Sequence, residues 1–477
     1  MPVDTCHPDY EAHRDEWCLM RDVSAGHKAV QAKGEVYLPK LSDQTPEEYQ
    51  AYKQRATFFN ATGRVVDALT GMVFRKDAVL EKADGIQDIL EDVTLNGTPF
   101  RQFAENLVEQ VMKVNRAGVL VDFPDAKAAA GDKVVTQALA DALGLRVYAS
   151  IYSAEDILNW RTISVGGKTV LSLVVLRECI EVIDPTDMFV MKKQLQYRVL
   201  ELFEGRYLQT VWAQTGTTGG KTALSVVARA FPLRGGKPLD SIPFEFFSSE
   251  GGDTCVHEPV LYDLAVVNLA HYRNTADHEH GLHFTGLPTA VISGVNGADD
   301  TYRIGSTTAW VFADPQAKAA YLEFTGAGLG ELRDAIKDKE GQMAALGARM
   351  LAPEKADAEA ADTIAQKRQG ETSTLAALAN SVSRGLTRVL NIMAEWHGNT
   401  SPTVVVKLNT DFLAVSMPPQ QITALLQSVM AGKLSAESFY EALVKGEVIS
   451  GNRTYEEEKV KIDEDGASAP PPNPNGA

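Results

Sequence analysis

The sequence predicts an α+β protein whose helical and strand-rich stretches are segregated along the chain. Three observations predict it. Thr45-Pro46-Glu47-Glu48 combines a cap threonine, a first-turn proline and acids facing the helix dipole, a helix start within an N-terminal stretch that reads mainly as helix to about Asp122. From about Arg146 the texture changes to short runs rich in Val, Ile, Tyr and Phe, parted by Gly, Asp-Pro or polar turns, which is the pattern of strands. Between Leu375 and Trp396 apolar residues recur at alternating intervals of three and four, the period of a helix packed along one face.

In order, Tyr49 to Met72 carries Tyr49, Tyr52, Ala56, Phe59, Val66 and Leu69 at helical spacing. A second helix, from about Pro99 to Asn115, presents Phe100, Phe103, Leu107, Val108 and Val111 in the same way. The strand-rich unit runs through RVYASIY, TVLSLVVL, CIEVI, MFVMKKQLQYRVLELF, TVWAQ and ALSVVARAF, and closes on the extended segment Ser241 to Phe247. Helix returns from about Pro259 to His280 on the stripe Leu261, Leu264, Ala265, Leu269, Tyr272 and Ala276. A β-rich insert, Leu282 to Thr325, contains LPTAVIS, TAWVFA and AAYLEF, and a further helix runs from Gly328 to about Met350.

Alanine and acid dominate Pro353 to Asp362, before the long amphipathic helix that ends near Trp396. A strand, TVVVKLN, precedes two shorter helices opened by Pro418-Pro419 and by Ser435-Ala436-Glu437. The end, from about Tyr455, is acidic and then proline-rich and reads as disordered.

At 477 residues the chain is long enough for several compact units, and 44% hydrophobic against 23% charged residues places it among folded globular proteins. No apolar run approaches the roughly 20 residues a bilayer span needs, and the start, MPVDTCHPDYEAHRDE, has neither the basic residues nor the apolar stretch of a secretory signal. The expectation is a protein with no membrane partner that stays in the cytoplasm where it is made. Cys6, Cys18, Cys179 and Cys255 form no C-x-x-C pair, so reduced thiols are expected. A net charge of −17 argues against a protein that grips nucleic acid, because neutralising phosphates takes clustered Lys and Arg. It permits a surface along which DNA slides.

Four groups of residues could carry chemistry, and each has a plainer reading. Gly216-Thr217-Thr218-Gly219-Gly220-Lys221-Thr222 resembles a phosphate-binding loop, but the glycine that motif needs at position 215 is Thr215, and the following ALSVVARAF reads as a strand where a phosphate cradle needs a helix N-terminus. A hairpin tip fits better. His271, His278, His280 and His283, with Asp277 and Glu279, contain metal-ligating types, yet on a helix His278 and His280 point to different faces, and His271 and His278 lie two turns, about 10 Å, apart. A polar, solvated or inter-subunit helix end, sensitive to pH, is the plainer reading. Cys6, His7, His13 and Cys18 match no zinc-finger or ribbon spacing. No nucleophile motif of the G-x-S-x-G kind occurs. Neither a catalytic centre nor a cofactor or metal site is expected. Among the basic residues, Lys355, Lys367 and Arg368 surround a helix start and Arg384 and Arg388 lie one turn apart, which suits a solvated face or a contact with DNA or a neighbouring subunit.

Three long blocks carry a family resemblance: EVYLPKLSDQTPEEYQAYKQRATFFNATGRVVDALTGMVFRK, LYDLAVVNLAHYRNTADHEHGLHFTGLPTAVISG and GETSTLAALANSVSRGLTRVLNIMAEW. Together the chain, over roughly residues 5 to 450, resembles a portal-like family of tailed-bacteriophage proteins long catalogued as a domain of unknown function. The resemblance implies a portal fold. It places a wing at 1–258, joined by the strand at 403 to 409, a stem of two helices at 259–280 and 328–350, and a clip inserted between them at 281–327. A channel loop follows at 351–362, then a long channel helix and return wing strand at 363–414, a helical crown at 415–454 and a disordered tail at 455–477.

In function the resemblance implies a virion protein, the head-to-tail connector at one capsid vertex, through which double-stranded DNA is packaged and ejected. Its subunits form a homo-oligomeric ring, typically of twelve. The implied partners are the terminase large subunit, the head-to-tail adaptor, the major capsid protein and a scaffold. ATP hydrolysis belongs to the terminase, so the chain itself is not an enzyme and carries no cofactor. An acidic channel wall repels phosphates and keeps DNA from sticking. The channel-facing residues assigned on this basis are Lys355, Lys367 and Arg368, which flank the implied channel loop. The competing readings are another phage structural protein, capsid or adaptor, and a nucleotide hydrolase using the 216–222 loop.

Overall fold

The computed structural model of the chain describes residues 2–124, 139, 143–184, 186–218, 221–286, 289–293, 316, 318–322, 326, 328–351, 373–399, 402–412, 419–431, 433–446, 448–449 and 453–468. Helices and strands are mixed and segregated, as the sequence pattern predicts. The chain divides into two units, Met1–Thr410 and Asp411–Ala477.

The larger unit begins with helices α1 (Pro8–Ala25), α2 (His27–Ala32), α3 (Pro46–Arg55) and α4 (Ala61–Val73). The Thr45 start is a full capping box, with Glu48 N–H donating to the Thr45 hydroxyl and Thr45 N–H to the Glu48 carboxylate. The helix expected through Tyr49 to Met72 is in fact two. Asn60 breaks it by accepting from Gly63 N–H at 2.9 Å as the N-cap of α4, while Phe58 N–H donates to His27 Nδ1 at 3.1 Å. Apolar residues recur at helical spacing on both sides of the break, so periodicity does not reveal it.

Next come β1 (Val79–Glu81), α5 (Gln87–Glu91), α6 (Phe100–Val114) and β2 (Ala117–Asp122). Strand β2 lies inside the stretch expected to be helical. All six of its residues are buried, so it shows no alternation and is too short for its period to separate it from a helical turn. It is the middle strand of a three-stranded sheet with β3 (Tyr148–Ser153) and β11 (Phe244–Phe247), both antiparallel to it. A Cβ at Gly118 would lie 2.2 Å from Phe244 Cζ, so that ring sits directly on the β2 backbone.

A second, five-stranded meander runs in chain order through β4 (Ile157–Val165), β5 (Lys168–Asp184), β6 (Asp187–Phe203), β7 (Arg206–Thr218) and β8 (Lys221–Ala230), followed by the small pair β9 (Leu233–Arg234) and β10 (Lys237–Pro238). The β5–β6 hairpin outruns its neighbours: β4 pairs with β5 only as far as Leu176, and β7 pairs with β6 only from Gln196. Its end is apolar and open to solvent, with Phe189 87% exposed.

Helix α7 (Tyr262–Gly286), strands β12 (Thr289–Ser293) and β13 (Lys318–Leu322), and helix α8 (Leu329–Arg349) follow. The first helix was expected at 259–280 and ends six residues later. Gly281, just past the expected end, is a close-packing site: a Cβ there would lie 2.5 Å from Leu329 Cδ2 of α8. Of the three expected insert strands, the first and last form the antiparallel β12–β13 pair, and TAWVFA lies outside the described residues. So do the alanine- and acid-rich 353–362 and the expected helix start at 363.

Helix α9 (Thr374–Trp396) opens with Ser373 accepting from Ala376 N–H and packs on β11, where a Cβ at Gly385 would lie 2.2 Å from Phe247 Cε1. Strand β14 (Val405–Lys407) pairs antiparallel with β1, more than 300 residues earlier in the chain. Its other edge is held by α9 side chains one turn apart. Leu408 N–H donates to Ser383 Oγ, Val406 N–H to Thr387 Oγ1 and Val404 N–H to Asn391 Oδ1, each at 3.0 Å. Residues alternate along a strand and recur every four on a helix, so these three pairs meet in register.

The second unit holds α10 (Pro419–Met430), α11 (Ala436–Lys445) and α12 (Tyr455–Ser468). The first two match their expected starts. The third replaces expected disorder over 455–468. Thr454 and Glu457 form a second reciprocal cap, and Glu456, Glu457 and Glu458 face the positive end of the helix dipole, so the acid run stabilises a helix start. The proline-rich end beyond Ser468 lies outside the described residues.

Candidate functional site

Helices α7 and α8 form an antiparallel pair with the β12–β13 hairpin between them in sequence: Gly281 meets Leu329 at one end, and His271 Nε2 lies 3.6 Å from Glu340 nearer the other. The first half of α7 is bolted into the body. Asn268, fully buried, accepts from Thr62 N–H and Oγ1 at 3.1 and 3.0 Å and donates to the Phe59 carbonyl at 2.8 Å. That carbonyl is available because the chain breaks between α3 and α4. Tyr52 Oη donates to Asp277 at 2.6 Å and Arg273 to the Tyr37 carbonyl at 2.9 Å, while Phe58 and Tyr272 meet edge to face. From Glu279 onward most side chains of α7 are open to solvent.

The four histidines do not converge on one point, although His280 and His283 share a contact with Phe284. His271 is buried against Phe59, and burial holds its pKa below the ordinary value despite the Glu340 carboxylate. His280 lies edge-on to Tyr52 and Phe284, with its pKa also lowered, first by burial and then by Arg55 and His283. His278 approaches Glu279, and His283 contacts Phe284. At the N-terminus, His7 caps α1 and stacks on Trp160 at 4.1 Å, His13 pairs with Glu16, and Cys18 faces solvent. Among the described residues no group of three or more His, Cys, Asp or Glu is arranged to hold a metal ion.

The Gly-Lys-Thr loop lies at the turn of the β7–β8 hairpin, where Thr218 pairs with Lys221, and a strand leads away from it. Lys355, Lys367 and Arg368 lie outside the described residues. Arg388 donates to Glu245, whose pKa burial raises despite the Arg388 guanidinium, whereas Arg384, one turn earlier on α9, has no such carboxylate partner among the described residues. The pair therefore does not share a role.

Two buried arrangements have no local sequence signal. Arg198 bridges Glu178 at 2.7 Å and Asp122 at 2.9 Å, and Tyr152, Gln196, Tyr148 and Gln209 donate to the same two carboxylates. Burial raises the Asp122 pKa more than Arg198 lowers it. At Glu178 burial is outweighed by Arg198 and the hydrogen bonds, so that carboxyl sits below its usual range. Separately, Arg116 lies 4.1 Å from the Trp160 ring and 4.5 Å from the Phe246 ring and donates to the Cys255 carbonyl at 3.0 Å, and burial holds its pKa down to about 10. An open cleft of about 380 Å³, lined by Glu250, His257, Glu258, Asp263 and Thr374, lies where α7 and α9 begin.

A family described as Domain of unknown function (DUF4055) matches residues 260–397, the stretch that holds the α7–α8 pair, its insert and α9. No curated protein matches the chain by sequence. Among solved structures, a chain of the virion of native gene transfer agent particle is 12% identical with a TM-score of 0.39, over 87% of this chain and 98% of that one. A chain from the neck of the empty particle is 12% identical with a TM-score of 0.37, over 83% and 92%, and one from the neck of the native particle is 11% identical with a TM-score of 0.37, over 87% and 99%. Likeness of that depth assigns no function to this chain.

Proposed function

We propose that the chain is the portal subunit of a tailed phage, a ring-forming conduit for double-stranded DNA at one capsid vertex that docks the terminase and then the tail adaptor. The observation that carries this reading is the order and anchoring of one stretch. An antiparallel helix pair is bolted to the body along the first half of α7 and carries a strand pair at its far end, and it is followed by a long helix packed on the central sheet. In this reading α7 and α8 are the stem, the insert around β12 and β13 is the clip, and α9 is the long channel helix. The wing is the β-rich body, completed when β14 returns to β1. The crown is α10 and α11. The resemblance of the three sequence blocks supports the same assignment.

The chemistry fits a conduit. A net charge of −17 repels phosphate, so DNA passes without being held, and the chain performs no hydrolysis of its own. Electron microscopy of the purified full-length protein tests the proposal: a closed ring with a central hole is expected. A shell, a filament or a persistent monomer would refute it and favour another structural role.

A further inference from the structure

Helix α8 turns Leu332, Ile336 and Met343 inward against α7 and leaves two charged rows on its solvent side. Arg333 and Lys337 form one, and Asp334 and Asp338 the other, with Glu331 at its head, and all five are exposed. At about 100° per residue the rows lie about 100° apart around the helix, and at about 1.5 Å per residue they stand almost level along it.

This pattern is unfavourable for a helix on its own. Its i, i+4 neighbours, Arg333 with Lys337 and Asp334 with Asp338, carry like charges, which destabilises an isolated helix. Asp334 and Lys337 are spaced to pair at i, i+3, yet they do not. Arg333 and Asp334, 64% and 65% exposed, approach only to 3.9 Å, and Glu331, Lys337 and Asp338 make no ion pair among the described residues. Beyond the charged rows the same side is bare: Gly341, Ala344, Ala345 and Ala348 are exposed, and a Cβ added at Gly341 would meet nothing within 4 Å.

We propose that this side of α8 binds α8 of a second copy of the chain, the Arg333/Lys337 row of one copy lying against the Asp334/Asp338 row of the next. The small residues beyond let the two helices approach closely. A rotation about an axis running along the helices keeps every residue at its own height, so the level rows meet in register, and the contact joins two different flanks and propagates head to tail into a ring. Opposed rows of charge select this partner and speed its docking, and salt weakens them. The interface rests on the ring proposed above and names the surface that closes it.

Two variants of the full-length protein test it. Arg333→Glu/Lys337→Glu makes both rows acidic, and Asp334→Lys/Asp338→Lys makes both basic. All four positions are exposed, so each variant should melt as the wild type does by circular dichroism. In mass photometry at low salt, each variant alone is expected to need at least tenfold more protein to form rings. An equimolar mixture should assemble at the wild-type concentration, because acidic and basic flanks then alternate, and the fourfold swap should assemble likewise. Rings from either variant alone at the wild-type concentration, or a mixture no better than its components, would overturn the interface while leaving the portal reading intact. A wild-type protein that forms no ring at any concentration removes both.

Discussion

Replacing Gly385 by alanine sets two effects of similar size against each other, and the structure decides between them. Gly385 is central in α9, where alanine is ordinarily about 1 kcal/mol better than glycine. Here the new Cβ would lie 2.2 Å from Phe247 Cε1 and 2.8 Å from Cδ1 and Cζ, whereas carbon atoms pack at about 3.5–4.0 Å. The ring must retreat by more than about 1 Å on that spacing. It cannot swing into solvent, being 2% exposed on a strand whose backbone is paired to β2. Forcing a methyl into a packed core costs about 1–3 kcal/mol, so the net effect is destabilisation of up to about 2 kcal/mol. Urea unfolding followed by tryptophan fluorescence should show a lower midpoint at an unchanged slope. Adding Phe247→Leu to Gly385→Ala should cost less than the two single changes summed, because leucine vacates the contested space. A higher midpoint for Gly385→Ala, or strict additivity, would refute the packing argument.

Thr387→Val should cost about 1–3 kcal/mol because it strands the buried Val406 N–H, while Thr387→Ser keeps the acceptor and should cost less than half as much; hydrogen exchange at Val406 should accelerate only in the valine variant. The carboxylates around Arg198 should respond to pH in opposite senses. Asp122, with its folded pKa raised, contributes stability that is full below its unfolded value of 3.8 and lost as pH rises through the folded value, so Asp122→Asn should gain on wild type from pH 4 to 7. Glu178, with its folded pKa lowered, contributes stability present above 4.5 and lost as pH falls through the folded value, so the deficit of Glu178→Gln should be full at pH 7 and shrink only as pH falls below about 4.5; denaturant titrations at pH 7, 5 and below 4 check both. Alanine at Lys355, Lys367 and Arg368 together should change DNA packaging or retention without preventing ring formation, and a packaging assay showing no change would remove them from the channel.

The elements legible in the sequence are those whose signal is local. Helix α9 declares itself by its 3.6 period and the β5–β6 hairpin by its β-branched and aromatic runs around Asp184-Pro185, because each pattern follows from the geometry of one element. The features that escaped depend on distant residues. Strand β1 has three residues and exists by pairing with β14, and the stop at Asn60 depends on what His27 and Asn268 offer the backbone there. The cluster of Asp122, Glu178 and Arg198 joins two sheets across stretches of chain that carry no motif. At the candidate site, the helix, strand insert and helix order was legible, but its anchoring was not: Asn268 reads as one polar residue within an apolar stripe.

The same tertiary logic bears on the junction of α8 and α9. Leu375 N–H donates to the Met350 carbonyl at 3.0 Å, tying the start of α9 directly to the end of α8. The two ends that flank the stretch with Lys355, Lys367 and Arg368 are therefore joined to each other. Helix α8 is also held at that junction, where Gly347 packs beside Val65 of α4, and α9 is fixed by Phe247 and by the hydrogen bonds of Ser383, Thr387 and Asn391 to the β14 stretch. A ring subunit of the proposed kind needs a frame that stays put. The hydrogen bond between Met350 and Leu375 supplies part of that frame by joining α8 to α9 where their described ends meet.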